Sequence, residues 1–198
     1  MIAILDYGSG NLRSAERAFQ LACEKVVITN NPQICLEADG LVVPGVGALA
    51  ACMEQLIGVG GDEIIAERVA KSRPIFGICV GMQIFFDSSS EKGEHKGLGI
   101  LAGDVSKISA PILPHMGWNN VVAPKESLLF KGIGNELFYF VHSFAAKSKV
   151  PDALNTTTNY GEDFLAAVER ESLVVTQFHP EKSGSAGAKL ISNWVTSL

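Results

Sequence analysis

Cysteine is scarce in this chain and is never paired along it. Cys23, Cys35, Cys52 and Cys79 stand far apart, with no Cys-x-x-Cys among them. That spacing argues against a zinc site or a disulfide framework and fits thiols kept reduced in the cytoplasm. Long apolar runs are also missing, so no segment approaches the ~20 residues of a membrane-spanning helix. Met1-Ile2-Ala3-Ile4-Leu5 meets Asp6 too early, and without a basic flank, to read as a signal peptide. There is no basic cluster, and a net charge of −5 argues against nucleic acid or an anionic membrane as partner. Repeats, low-complexity tracts and linkers are absent too. What is present is 198 residues with 47% hydrophobic content, enough for one domain with a substantial core and short for two. The expectation is a single cytoplasmic domain over residues 1–198.

The first half alternates strand and helix. Apolar runs at Met1 to Tyr7, Lys25 to Thr29, Gly40 to Val43 and Pro74 to Ile78 read as buried strands. Between them, Leu12, Ala15, Phe19 and Ala22 recur at helical spacing, and Ala48 to Leu56 and Asp62 to Lys71 read as helices. Asn30-Asn31-Pro32 reads as a turn. This is the pattern of an α/β fold, a mostly parallel central sheet flanked by helices, with ligands at the carboxyl ends of the strands. In the second half, Gly97 to Ile100, Asp104 to Ile108, Asn119 to Val122, Phe138 to Phe144 and Phe164 to Glu169 suggest antiparallel strands added to that sheet. Leu173 to Phe178 is a further strand, and a last helix carries Leu190, Ile191, Trp194, Val195 and Leu198 on one stripe, with Ser183 or Ser185 as N-cap.

The chemistry is expected at Gly77-Ile78-Cys79-Val80-Gly81, a strand running into a sharp turn and a helical segment from Gln83 to Asp87. Small residues flank the thiol because strand and helix backbones approach too closely for a Cβ, as in the Gly-x-Ser-x-Gly elbow of hydrolases. The alternative is a buried core cysteine. A thiol nucleophile needs a base. Among His95, His115, His142 and His179, only His179 ends a buried strand and is followed by Pro180 and Glu181. Residues two apart in extended chain point the same way, so Glu181 can orient the imidazole. His95 reads as a solvated loop residue, and His115 and His142 as ordinary hydrogen-bonded histidines. Gly45-Val46-Gly47-Ala48-Leu49-Ala50 fits a dinucleotide fingerprint on paper, but Pro44 interrupts the turn and no ribose-binding carboxylate ends the next strand. A Pro-Gly-x-Gly corner beside a nucleophile suits an oxyanion hole better.

Gly77-Ile78-Cys79-Val80-Gly81-Met82-Gln83 and Gln177-Phe178-His179-Pro180-Glu181 resemble the two signatures of class I glutamine amidotransferases, whose Cys-His-Glu triad hydrolyses glutamine. Asp6 to Leu12, Pro44-Gly45-Val46-Gly47, Pro114-His115-Met116-Gly117-Trp118-Asn119, Tyr139 to Ser143 and His179 to Ser183 resemble one branch of that family. Its members pass ammonia to a HisF-type (β/α)₈ cyclase in histidine biosynthesis. The resemblance implies a flavodoxin-like fold, Cys79, His179 and Glu181 as catalytic residues, and Val46, Gly47 and Val80 at the oxyanion hole. It implies L-glutamine at Gly45, Gln83, His142, Ser143 and Phe144, the last standing where the branch often has tyrosine. The cyclase would dock in a heterodimer on Met116, Trp118, Asn119 and Lys182; a core position for Trp118 is the alternative. No metal or organic cofactor is implied. A glutaminase of another pathway and a non-catalytic module on the same fold are the competing readings.

Overall fold

Short, uninterrupted apolar runs become the parallel strands, because a strand covered by helices on both faces has no solvent side to show. The computed structural model describes residues 1–198. Its first half comprises β1 (Ile2–Leu5), α1 (Leu12–Gln20), β2 (Val26–Thr29), α2 (Pro32–Glu37), β3 (Gly40–Gly45), α3 (Leu49–Gly58), α4 (Gly61–Ala70), β4 (Ile75–Cys79) and α5 (Val80–Gln83). The second half holds β5 (Phe86–Ser89), β6 (His95–Lys96), β7 (Leu101–Lys107), β8 (His115–Asn120), β9 (Leu137–His142) and β10 (Phe144–Ala146). It closes with β11 (Leu154–Tyr160), β12 (Glu162–Arg170), β13 (Leu173–Thr176), a 3-10 turn (Pro180–Lys182) and α6 (Gly184–Thr196).

The central sheet runs β11-β12-β13-β4-β3-β1-β2. It is parallel from β13 to β2 and antiparallel at the β11–β12–β13 edge. Helices cover both faces. Phe19 of α1, Phe76 of β4 and Trp194 of α6 meet edge to face, with centroids 5.2 to 5.8 Å apart. Each such pair contributes ~0.5–1.5 kcal/mol beyond its area burial. Arg68 of α4 is wholly buried and donates to the carbonyls of Cys35, Ala38 and Pro74, tying α2 and the entries to β3 and β4 together.

Four expectations are corrected. Asn31-Pro32 opens α2 rather than making a simple turn: the Asn31 side chain accepts from Ile34 N–H at 3.1 Å, and Pro32 occupies the first helical turn, where its missing N–H costs nothing. The helical segment at Gln83 to Asp87 is instead one turn, α5, followed by β5. Ile84, Phe85 and Phe86 are buried all round, and Phe85 O accepts from Ile100 and Leu101 at 2.9 and 2.8 Å, which withdraws that backbone from a helix. Of the antiparallel strands, only the β11–β12 hairpin extends the main sheet. The others form a four-stranded sheet, β10-β7-β5-β6, and the separate β8–β9 pair. Finally, Ser183 sits at the N-cap of α6 without capping it; its hydroxyl donates to His179 O at 2.7 Å.

Candidate active site

Cys79 stands where β4 turns into α5, with φ +57° and ψ −112°. A residue with a side chain adopts such a conformation at a cost of ~1–3 kcal/mol, and only where surrounding packing enforces it. The enforcement is visible at the flanking glycines. A Cβ on Gly77 would lie 2.3 Å from Gly81 O, and one on Gly81 would lie 1.9 Å from Val43 O. Strand and helix therefore touch backbone to backbone, and the thiol is lifted to the edge of a cavity of about 460 Å³.

β13 lies beside β4, with Thr176 opposite Ile78, so the chain leaving β13 passes Cys79. There His179 N–H donates to Tyr139 O at 2.9 Å, and Ser183 Oγ accepts from Tyr139 N–H at 3.0 Å, fastening the turn to β9. The His179 imidazole is 3% exposed and holds Glu181 Oε1 through Nδ1 at 2.7 Å; the Cys79 thiol is its other polar neighbour. Burial opposes charge on the ring. Cys79 and Glu181 together outweigh it and raise the His179 pKa to about 10.

β3 delivers Gly45 opposite Cys79, and the corner Val46-Gly47 faces the thiol across the cavity. Gly47 has φ +88°, a conformation that favours glycine. The two peptide units that meet at Val46 are held from behind. The Val46 N–H donates to Ser9 Oγ at 3.1 Å, and the Val46 carbonyl accepts from Ser9 Oγ at 3.1 Å and Cys52 Sγ at 3.2 Å. In this structure the Val46 N–H therefore points at Ser9.

The floor of the cavity is a set of interlocked amides and rings. Gln83 Nε2 donates to Phe144 O at 2.8 Å and to Gln177 Oε1 at 2.9 Å. His142 Nδ1 meets the same carbonyl at 3.0 Å, and its Nε2 lies 3.3 Å from His115 Nδ1. A carbonyl only accepts, so His142 carries its proton on Nδ1 and His115 donates from its own Nδ1. His115 is stacked between Phe140 and Tyr160, with centroids at 4.9 and 4.0 Å. Burial pushes the pKa of His115 down to about 4 and that of His142 to about 3, so both are neutral where His179 is charged.

The glutamine amidotransferase class-I family model matches residues 3–198 of this sequence. The chain belongs to the class I glutamine amidotransferases. It is 54% identical to the imidazole glycerol phosphate synthase subunit HisH of Mycobacterium bovis, covering all of this chain and 98% of that one. With the protein of the same name from Corynebacterium glutamicum, identity is 49% over 100% and 98% of the two chains. A solved glutamine amidotransferase superposes with a TM-score of 0.78 at 16% identity, covering 100% and 99%. The structure titled PurLQS from Thermotoga maritima gives 0.69 at 17% identity, over 99% and 97%. These two likenesses speak to the fold alone.

In this amidotransferase, one cavity brings together Val46, Gly47, Cys79, Val80, Gln83, His142, Ser143, Phe144, His179 and Lys182. Gly45, opposite Cys79 in the sheet, and Glu181, bonded to His179, adjoin lining residues without lining the cavity themselves. The outer face of β8–β9 lies apart from them: Met116 is 63% and Trp118 54% exposed, with Trp118 edge-on to Tyr139. Asn119, grouped with them on the sequence, faces the other way, donating to Asn159 O at 2.9 Å. Four residues that sequence reasoning gave no role also belong here. Glu91 and Lys92 line the cavity, and Glu91 accepts from Leu49 N–H at 3.3 Å, serving α3 where Ala48 offers no cap. Ser9 and Cys52 hold the backbone on the two sides of Val46. Only the lack of a capping side chain before Leu49 was a readable signal. No helix is long and apolar enough to cross a membrane.

Proposed function

We propose that residues 1–198 act as one glutaminase domain in the cytoplasm, the ammonia-producing subunit of imidazole glycerol phosphate synthase. L-Glutamine is hydrolysed to glutamate and ammonia. The ammonia passes to a HisF-type (β/α)₈ cyclase, which makes imidazole glycerol phosphate and the aminoimidazole carboxamide ribotide. The observation that carries the reading is a strained thiol elbow sharing one cavity with an imidazole that is itself paired with a buried carboxylate. Full-length likeness to proteins named HisH selects the pathway.

The reaction follows from that geometry. Cys79 attacks the side-chain amide carbon as thiolate, with the proton held on His179. The oxyanion is met by the first N–H of α5, at Val80, and by the Val46-Gly47 corner once the Val46 peptide turns away from Ser9. His179 protonates the leaving ammonia, and a γ-glutamyl thioester remains. Water deprotonated by the same ring then attacks the thioester carbonyl, and glutamate leaves as the thiol is reprotonated. Glu181 fixes the tautomer and offsets the imidazolium charge. Gln83 has both amide hydrogens engaged, so it meets glutamine through Oε1, while His142, Ser143 and Phe144 line the cavity beside it. Released into neutral water, ammonia would be protonated and lost as a nucleophile, which is why a docked cyclase matters. Met116, Trp118 and Lys182 carry that docking.

The deciding measurement is glutaminase activity with and without the cyclase and its ligand, combined with an electrophilic glutamine analogue. Stoichiometric labelling of Cys79 and stimulation by the cyclase are expected. No labelling with the cyclase present would remove the nucleophile assignment. Labelling without any response to the cyclase would move the protein to another pathway.

A further inference from the structure

Gln177 is a primary amide with no exposure to solvent, two residues before His179. A buried amide is costly unless both its ends are satisfied. Its oxygen accepts from Gln83 Nε2 at 2.9 Å, and its nitrogen lies 3.8 Å from Cys79 Sγ. The orientation of this pair is set from outside. Phe144 O can only accept, so the Gln83 atom 2.8 Å from it is the NH₂ group. Its second hydrogen then faces the Gln177 oxygen, which turns the Gln177 nitrogen to the sulfur. Flipping Gln177 would set two NH₂ groups against each other and an oxygen against the sulfur.

We propose that Gln177 is a hydrogen-bond donor to the Cys79 thiolate, independent of His179, and that Gln83 is the positioning residue that keeps its N–H on the sulfur. A neutral thiol is a weak acceptor and a thiolate a strong one, so the contact favours the reactive form selectively. Gln83 belongs to α5, the helix that starts at the cysteine elbow, and so moves with the nucleophile. The imidazole contact depends on its own protonation; an amide donor does not titrate. The other ionisable groups around the sulfur are His179 with Glu181 after β13, Cys52 from α3 and Tyr7 after β1. Glu91, Lys92 and Lys182 line the same cavity. Burial keeps the Tyr7 and Cys52 groups neutral, so neither supplies a competing charge.

The proposal rests on Cys79 being the nucleophile. The test compares wild-type protein with Gln177→Met, alkylated by iodoacetamide from about pH 5 to about pH 9, with the Cys79 peptide quantified by mass spectrometry. Near pH 7 the variant should alkylate roughly tenfold more slowly, the size of one hydrogen bond to a charged acceptor. Its pH profile should move upward, and with the cyclase present kcat should fall while KM holds. Gln83→Met should move the profile the same way, by less. Gln177→Glu, the same shape with an acceptor for the donor, should move it further than Gln177→Met; thermal melts establish that each variant is folded. A folded Gln177→Met or Gln177→Glu protein with the wild-type profile overturns the proposal and leaves the nucleophile assignment standing. Wild-type protein that never labels at Cys79 overturns both.

Discussion

His179 and His142 line the same cavity, both buried and both tied down through Nδ1, yet they are held in opposite states. Burial works against charge on each ring. At His179 the Nδ1 partner is a carboxylate and the other neighbour is a thiol, and the pKa stands at about 10. At His142 the Nδ1 partner is a backbone carbonyl, the other neighbour is His115 and aromatic rings surround the pair, so the pKa falls to about 3. Depth therefore says little about what a histidine does. A carboxylate at hydrogen-bond distance, together with a thiol neighbour, separates a ring that stores a proton for catalysis from one that props a wall.

Removing that anion is the hardest blow to the comparison. Glu181→Gln keeps the shape and deletes the charge, leaving only Cys79 to offset burial at His179. Glutaminase kcat with the cyclase present should fall by at least ~10²-fold, toward the ~10⁴ seen when a triad carboxylate is neutralised. Synthase activity with added ammonium salt should survive, since the cyclase chemistry is untouched. A loss smaller than tenfold would mean that Glu181 does not govern the ring.

The two sites should also draw opposite limbs of the stability–pH curve. His115 and His142 have folded pKa values of about 4 and 3, below the ordinary 6.5. The unfolded chain then binds protons that the native state refuses, and stability drops as pH falls below ~6.5. His179 has the reverse sign: its contribution is complete below ~6.5 and is lost as pH rises through about 10. Melting temperature should therefore decline on both sides of neutrality. His142→Asn keeps a donor where Nδ1 stood and removes the titration, so its acid limb should be shallower by several degrees near pH 4.5. An unchanged acid limb would show that His142 is not neutral in the native state.

How much of this contrast was legible in the sequence depends on separation along the chain. The thiol elbow is five consecutive residues, and His179 and Glu181 are two apart, so local rules of turn and strand reached them. The five parallel strands were equally plain, being short apolar runs. The His115–His142 pair joins residues 27 apart through an antiparallel register that no local pattern carries. β11, Leu-Asn-Thr-Thr-Thr-Asn-Tyr, is too polar to announce a strand; it is an edge strand, and its partner β12 supplies the apolar face. Asn31-Pro32 carried a turn and a helix start in the same letters. The direction of the Val46 N–H was beyond reach, since it depends on a serine 37 residues away.

A smaller effect is expected on the reverse of the neutral site. β8 carries His115 inward and Met116 and Trp118 outward. Trp118→Ala should raise the dissociation constant for the cyclase about tenfold, a loss of more than ~1 kcal/mol, by titration calorimetry. The acid limb of the stability curve should stay where it was. A matched loss of stability and affinity would show that the two faces of β8 are not separable.

The smallest effect concerns whether the base and nucleophile at His179 and Cys79 are sufficient by themselves. In this structure the Val46 N–H is bonded to Ser9 Oγ, so the proposed oxyanion site is incomplete while base and nucleophile are already in place. Turning the Gly45–Val46 peptide toward the cavity costs the Val46 N–H bond to Ser9 Oγ, about 1 kcal/mol in net terms. Ser9→Ala removes the acceptor behind the peptide but leaves Cys52 Sγ on the Val46 carbonyl. The turned state gains population by the free energy of the lost bond and no more. Glutaminase activity without cyclase should then rise roughly two- to tenfold, while the cyclase-stimulated rate, where the peptide has already turned, changes little. An unchanged basal rate would place the limiting step elsewhere than the Ser9 bond. A fall in both rates would mean that Ser9 supports the working conformation of the corner, and that the base and nucleophile were waiting on something other than Val46.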